Sequence, residues 1–510
     1  MLIKKNIKIL IILDGIGISK NRKYNALYQA NSIILKWLKI YPSCLLKAYG
    51  QYVGLFNSLI GNSEVGHLTI GSGRIIKQPV TLIHEAIKNG QFFKNKLLIN
   101  SLKKLKNKNT RLHIMGLLSD AGIHSHIEIL FALLKLAKNI GIKEVIIHGF
   151  LDGRDVWPKS AKKYLLMVEK QIKNLKIGKI GSLHGRFYAM DRDNNWQRTK
   201  KSYDILTKKS KVNFDDWRKL LKYFYKKSIT DEFIKPSALI NDAFLKDQDG
   251  LIFFNIREDR ARQITQAILS DNFDKFKTQN INLLWFITGI LYSPDFKTKY
   301  ICKKKLVTNT LFDILEKNNL KIFSIAESEK YAHITYFFNG GREIIRPNET
   351  RVLIKSKSYS HNYAKIPHMS AEKITDSIIN SLEKDPKDFY LVNYANADMV
   401  GHSGQLNPTI EAIEFLDKQI ERIRKILIEK YDGTIYLTSD HGKAEEMYNY
   451  KIKKSITSHT KNPVPFIFIN KDNKYKHYKL NLTQLQDIAQ FILKDLNLKV
   501  PKIMRHKNKI

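Results

Sequence analysis

At 510 residues the chain is longer than one hydrophobic core usually supports, and with 43% hydrophobic residues it can bury two, which excludes a disordered or fibrous protein. Its two cysteines, Cys44 and Cys302, exclude a disulfide framework and a thiolate metal site, and fit the cytoplasm. A formal net charge of +39 raises nucleic acid as a partner, but the lysines are dispersed through almost every segment (KKNIKIL, NSLKKLKNKNT, KTKYICKKKL, NKDNKYKHYKL). They are not gathered on one element with interleaved aromatics, so no specific nucleic-acid partner is expected.

The opening MLIKKNIKILIILDGIGI places lysines before an apolar run, as a signal peptide does. Asp14 and Gly15 cut that run short and no small-residue cleavage site follows, so a core strand is the expectation. No apolar run reaches the roughly 18 residues of a membrane span, and no membrane partner is expected. Next comes GNSEVGHLTIGSGR, residues 61–74, where Ser63 stands in a glycine-bounded segment that turns helical. Strand-length apolar runs then recur: LHIMGLLSD, VIIHGFLDG, KIGSLHG, LIFFNIR, LLWFITGI, KIFSIAE, FYLVNYAN, TIYLTSD and VPFIFIN. Between them lie segments of helical periodicity, among them HIEILFALLKLAKNIG, SAKKYLLMVEKQIKNLKIG and TIEAIEFLDKQIERIRKILIEKYDG. Asn407 with Pro408 predicts a helix start there, and Thr483 with Gln486 a capping box further on. The alternation makes this an α/β protein with mainly parallel sheets.

In open parallel sheets ligands bind beyond the carboxyl ends of the strands. Asp14 follows KILIIL, Asp398 and then His402 follow FYLVNYA, and Asp440 with His441 follows TIYLTS, while His459 precedes VPFIFIN. A lone Asp before Gly is an ordinary turn former. The joint pattern instead brings three Asp and three His to one kind of position, a set suited to a pair of divalent cations. Ser63 has two readings. It caps the helix it opens, or its hydroxyl, activated by a metal, is a nucleophile for phosphoryl transfer beside an anion-receptive helix N-terminus.

With Asp14, GNSEVGH, NADMVGHSG, TSDHG and SHTKNPVP in that order, the chain resembles the cofactor-independent phosphoglycerate mutases of the alkaline phosphatase superfamily. The resemblance extends through LLSDAGIHSH, FLDGRDV, GRFYAMDRDNNWQR, FFNIREDR and AESEKYAHITYFFNGGRE, over nearly the whole length. It implies an alkaline-phosphatase-like domain from 1–77 and 304–510, its mainly parallel sheet sandwiched by helices, and an inserted α/β substrate-binding domain from 78–303. It further implies two Mn²⁺-type sites, one from Asp398, His402 and His459, the other from Asp14, Ser63, Asp440 and His441. The residue types alone leave Mn²⁺, Mg²⁺, Co²⁺ and Zn²⁺ open. No bisphosphoglycerate is required.

The implied reaction is the interconversion of 3-phosphoglycerate and 2-phosphoglycerate through a phosphoserine on Ser63, with Lys330 as a further cation. In the inserted domain His124, Arg154, Asp155, Arg186, Arg192, Arg257 and Arg260 are the expected substrate contacts, and in the family this domain closes on the other. Arginine suits that task because it grips carboxylate and phosphate bidentately. Asp155 is the candidate proton shuttle, assisted by His124; the alternative is a structural pairing with a neighbouring arginine. A complete site within one chain implies a monomer. Lys443, after the DHG motif, stands where the resemblance predicts Asn, and is expected either to turn outward or to weaken metal binding. Trp157 and His184 depart from the family pattern as well.

Overall fold

The computed structural model describes residues 6–269, 272–303, 306–357, 362–450, 453–473, 476 and 478–505. It divides into two compact units, one from Met1–Lys77 with Leu306–Ile510, the other Gln78–Lys305.

The first unit is built on a seven-stranded sheet in the order Glu349–Ile354, Ile322–Glu327, Phe389–Tyr394, Lys8–Leu13, Thr434–Thr438, Val464–Ile469, Ser43–Leu46. The first five are mutually parallel, and Val464–Ile469 is antiparallel to both its neighbours. Lys8–Leu13 is buried along its whole length because strands flank it on both edges and helices cover both faces, which explains its uninterrupted apolar run. Its register with Phe389–Tyr394 pairs Leu13 with Tyr394, so Asp14 emerges beside the segment carrying Asp398. Gly15, at φ +80°, is needed there: a Cβ would lie 2.9 Å from the Asp398 Cα.

The second unit holds another seven-stranded sheet, ordered Ser237–Ala238, Lys179–Gly185, Val145–Leu151, Leu112–Leu118, Gly250–Phe253, Trp285–Thr288, Lys299–Tyr300, parallel except for the short first strand. A buried polar chain crosses three of these strands. Arg111 Nη2 donates to Asp249 Oδ2 (2.7 Å), which faces His113 Nε2 (3.0 Å); His113 Nδ1 meets His148 Nε2 (2.9 Å), His148 Nδ1 meets Ser182 Oγ (2.7 Å), and Ser182 Oγ meets His184 Nε2 (2.7 Å). His184 is therefore a core residue, and Trp157 is exposed.

The ten predicted strand runs are all strands, and the three long periodic segments are helices at Ile127–Ile140, Ala161–Leu175 and Leu406–Arg424. Two helix starts differ from expectation. The last of these helices is capped at Gln405, so Asn407 and Pro408 lie inside its first turn, where Pro needs no N–H. The predicted capping box is replaced by Asp487, whose Oδ2 accepts from the N–H groups of Thr483 (2.9 Å) and Gln484 (3.1 Å), while the Gln486 Oε1 accepts from the Ile75 N–H (3.1 Å).

Candidate functional site

In the first unit, the Ser63–Ser72 helix is capped by Asn62, whose Oδ1 accepts from the Val65 N–H (3.2 Å). The capping task thus leaves the Ser63 hydroxyl free for other partners. Its Oγ lies 2.6 Å from Lys330 Nζ, 3.1 Å from Asp14 Oδ1 and 3.1 Å from His441 Nε2. Lys330 Nζ also donates to Asp14 Oδ1 and Asp398 Oδ2, both at 2.7 Å. The helix packs close enough that a Cβ on Gly66 would meet the Asp440 carbonyl at 2.6 Å.

These groups determine one another's charge. Burial alone would raise the Asp14 and Asp398 carboxyls, but the Lys330 ammonium and histidine partners outweigh it and hold both below the usual carboxylate range. Burial would lower Lys330, yet Asp14, Asp398 and Asp440 raise it above its ordinary value. Burial likewise opposes a charge on His441, but Asp440 and Asp14 push it up to about 9. His459 is drawn down to about 4 by burial and by the nearby His441, on which its ring stacks at 3.8 Å.

Asp398, His402 and His459 form a second cluster. His402 Nδ1 lies 2.7 Å from the Thr457 carbonyl and His459 Nδ1 2.8 Å from the Gly61 carbonyl, so each Nδ1 donates to a carbonyl and each Nε2 is the nitrogen that would face a cation. Those two nitrogens face each other at 3.1 Å, each 3.2 Å from Asp398 Oδ1. Asp398 Oδ1 and Asp440 Oδ2 are buried without a hydrogen-bond partner. Donor atoms about 2.1 Å from an ion sit roughly 3.0 Å apart at octahedral and 3.4 Å apart at tetrahedral angles. The trio fits a divalent cation in both spacing and chemistry. Asp14 Oδ1, Ser63 Oγ and His441 Nε2 stand 3.1–3.3 Å apart, a second candidate set, with Asp440 Oδ2 3.6 Å from His441 Nε2.

Several supporting residues were not read from the sequence. His67, one turn after Ser63, places Nδ1 2.8 Å from the Ser63 carbonyl and 3.2 Å from Asp440 Oδ2, while its Nε2 meets Asn393 Nδ2 at 2.9 Å. Asn393 also donates to Asp14 Oδ2 (2.9 Å). His67 completes a possible ligand group with Asp14 and Asp440, but with both nitrogens engaged it braces the carboxylates. Glu445 ties the loop after His441 to the one before Val464, accepting from the N–H groups of Gly17 (2.9 Å) and Lys443 (2.8 Å), from Thr460 and from Asn462. Lys443 does not turn outward. It is fully buried, its Nζ donates to the Ile456 carbonyl (3.2 Å), and burial pushes it down to about 8.

The second unit gathers the remaining sequence-predicted residues. Arg186, 2% exposed, directs Nη1 at Asp152 Oδ1 (2.7 Å) and Asp155 Oδ2 (2.5 Å). His124 Nε2 lies 4.0 Å from Asp155 Oδ2, and its Nδ1 3.6 Å from Asp259. Arg192 and Arg257 reach Asp259 at 2.9 and 3.1 Å, Arg260 donates to the Met190 carbonyl (3.2 Å), and the exposed Arg154 faces Glu232 (3.4 Å). Burial and the neighbouring arginines draw His124 well below its ordinary range, and burial with Arg192 and Arg186 brings Arg260 down to about 10. Such crowding of cations around a neutral imidazole is suited to an anion with more than one acidic group.

Residues 83–294 match the family model described as BPG-independent PGAM N-terminus, and residues 292–504 the one described as type I phosphodiesterase / nucleotide pyrophosphatase. A curated 2,3-bisphosphoglycerate-independent phosphoglycerate mutase of Clostridium tetani is 42% identical over 507 residues, 98% of either chain. The chain belongs to this mutase family. A relative of the same name from Metamycoplasma hominis is 43% identical over 508 residues, 98% of this chain and 99% of its own. A crystal structure of Leishmania mexicana phosphoglycerate mutase, obtained at low cobalt concentration, shares the fold, with TM-score 0.82 at 24% identity over 99% of this chain and 98% of the other. Among the described residues no helix is long and apolar enough to cross a membrane.

Proposed function

We propose that this chain interconverts 3-phosphoglycerate and 2-phosphoglycerate without bisphosphoglycerate, through a phosphoserine on Ser63. The observation that carries the proposal is the Ser63 hydroxyl itself, relieved of capping by Asn62 and set 2.6 Å from a buried ammonium and 3.1 Å from Asp14 and His441. Asp398, His402 and His459 would hold one divalent cation; Asp14, Ser63, Asp440 and His441 the other. When bound, such cations lower the pKa of a coordinated hydroxyl and neutralise phosphoryl oxygens. We assign Mn²⁺ to both, with Mg²⁺, Co²⁺ and Zn²⁺ compatible with the same donors.

Ser63 reacts as its alkoxide beside the Lys330 ammonium, its proton having passed to solvent beforehand, and Oγ attacks the phosphorus in line, its bond to phosphorus forming as the bond to the 3-oxygen of the glycerate breaks. Lys330 offsets charge on the transferring group. Asp155, protonated at the start and with His124 beside it, gives its proton to the departing 3-oxygen and, now a carboxylate, takes one from the 2-hydroxyl, whose oxygen receives the phosphoryl group as its bond to Ser63 breaks and the alkoxide is restored. Arg154, Arg186, Arg192, Arg257 and Arg260 belong to the glycerate-binding machinery, Arg186 by organising Asp155. The domain roles follow: 1–77 with 304–510 carries nucleophile and metals, and 78–303 binds the glycerate. The protein is read as cytoplasmic and monomeric, with the phosphoglycerates as its partners.

A phosphorus NMR time course with 3-phosphoglycerate and Mn²⁺, with no bisphosphoglycerate added, tests the reading. Formation of 2-phosphoglycerate without free phosphate is expected, and its loss in EDTA-treated and Ser63→Ala samples. Release of free phosphate instead would make the site a hydrolase.

A further inference from the structure

The strand Val145–Leu151 ends at Asp152, a buried carboxylate with no role in the reaction described above. Its Oδ1 accepts from the N–H groups of Arg154 (3.2 Å) and Asp155 (2.9 Å) and from Arg186 Nη1 (2.7 Å). The same Nη1 reaches Asp155 Oδ2 at 2.5 Å, so a single nitrogen is shared between two carboxylates. Asp152 Oδ2 is buried with no hydrogen-bond partner. The turn is fixed from outside as well: Gly153 has φ +64°, and a Cβ there would meet Asp231 Cβ and the Glu232 nitrogen at 2.9 Å.

We propose that Asp152 is a positioning residue for proton transfer, holding Arg186 back from full pairing with Asp155 so that the Asp155 carboxylate stays available as a base. The proposal rests on the reading of Asp155 as the proton carrier. An arginine paired with one carboxylate alone lowers its pKa by about 1–3 units and makes it a poor base. Here burial raises Asp155, Arg186 opposes that, and the charge of Asp152 adds to the rise, leaving Asp155 above its ordinary value. Of the other charged groups facing this turn, Arg154 also draws Asp155 down, and Arg260 lies close enough to be lowered by Arg186 and Arg154; the remainder are engaged elsewhere. Arg154 pairs with Glu232, and Asp231 accepts from the N–H groups of Ser160 (2.7 Å) and Ala161 (2.8 Å) and from Tyr225. Tyr164 donates to Asp120 (2.6 Å), and Arg192 and Arg257 pair with Asp259. His124, 4.0 Å from Asp155, is the remaining titratable neighbour among the described residues.

Asp152→Asn keeps the acceptor for the two backbone N–H groups and removes the charge. Full-length, Mg²⁺-loaded protein labelled with carboxyl ¹³C-aspartate is titrated by NMR, the Asp155 signal being identified by its loss in Asp155→Asn. The expected result is a fall of about one pH unit in the Asp155 midpoint. A tenfold or greater loss in kcat is expected with it, KM for 3-phosphoglycerate changing less than about threefold. Arg186→Gln moves the midpoint the opposite way, a second readout if Asp152→Asn folds poorly. An unmoved midpoint, or a loss confined to KM, would overturn the proposal. Wild-type turnover in Asp155→Asn would overturn instead the reading beneath it.

Discussion

Replacing Lys330 by Met removes the ammonium that joins Asp14, Asp398 and Ser63 at 2.6–2.7 Å and leaves two carboxylates of 0% and 3% side-chain exposure facing each other without compensation. Breaking a buried ion pair on one side costs roughly 3–5 kcal/mol, because the remaining charge is stranded away from water. In a unit of this size 1 kcal/mol corresponds to about 2 °C, so metal-free Lys330→Met is expected to melt about 6–10 °C below metal-free wild type at pH 7.5. The pH dependence must also change sign. In the wild type both carboxyls are held below their ordinary value, so their contribution is present above about pH 4 and lost as the pH falls. Without Lys330, burial raises them, and stability is lost as the pH rises through the raised values. The melting deficit should therefore shrink at pH 5, and saturating Mg²⁺ should narrow it by binding the folded state. Calorimetry of EDTA-treated protein at pH 5 and 7.5 is the assay. Equal melting temperatures at pH 7.5 would refute the idea that Lys330 is what neutralises these carboxylates.

Asn62→Ala removes the cap from the Ser63 helix, so a loss of about 1 kcal/mol in chemical denaturation is expected, with a disproportionate drop in phosphoserine formation as Ser63 is recruited to the helix end. Lys443→Asn deletes a buried amine whose charge interacts with Asp398, and Mn²⁺ binding should tighten roughly tenfold, about 1.4 kcal/mol, by titration calorimetry; unchanged or weaker binding would mean that the tether to Ile456 matters more than the charge. In the second unit burial draws His184 down to about 3, and burial with the adjacent histidines draws His148 well below its ordinary range. Both are neutral when folded and protonate near pH 6.5 when unfolded, so stability is lost as the pH falls below 6.5, by about 2.5 kcal/mol between pH 6 and 5 for the two. Urea unfolding followed by the fluorescence of Trp196, Trp217 and Trp285 measures it, and a flat profile would contradict it.

The strands were legible because both sheets are covered on their two faces, which turns each central strand into an uninterrupted apolar run. Glu349–Ile354 escaped notice because it is an edge strand with Glu349, Thr350 and Arg351 interrupting the pattern, and Ser43–Leu46 because four residues carry too little periodicity. The acidic and imidazole residues near the strand ends could be picked out since each lies within a few residues of such a run, Asp14 immediately after one and His402 eight residues beyond Tyr394. Their braces could not: Asn393 lies inside an apolar strand and His67 inside a helix, and only the fold brings them together at 2.9 Å. Lys443 illustrates the same limit. Sequence marked it as out of place, but its destination depends on a carbonyl thirteen residues further on.

The position of Lys8–Leu13 also bears on how the molecule is made. This strand pairs on one edge with Phe389–Tyr394 and on the other with Thr434–Thr438, both encoded far downstream. At 5–20 residues per second the ribosome needs about 20–75 s to reach the first of them. Throughout that interval one of the most apolar segments of the chain has neither of its partners, while the second unit, contiguous in sequence, can complete its own sheet. Newborn chains should therefore pass through a state with one folded unit and one bare hydrophobic strand, the form most in need of a chaperone and most prone to aggregate.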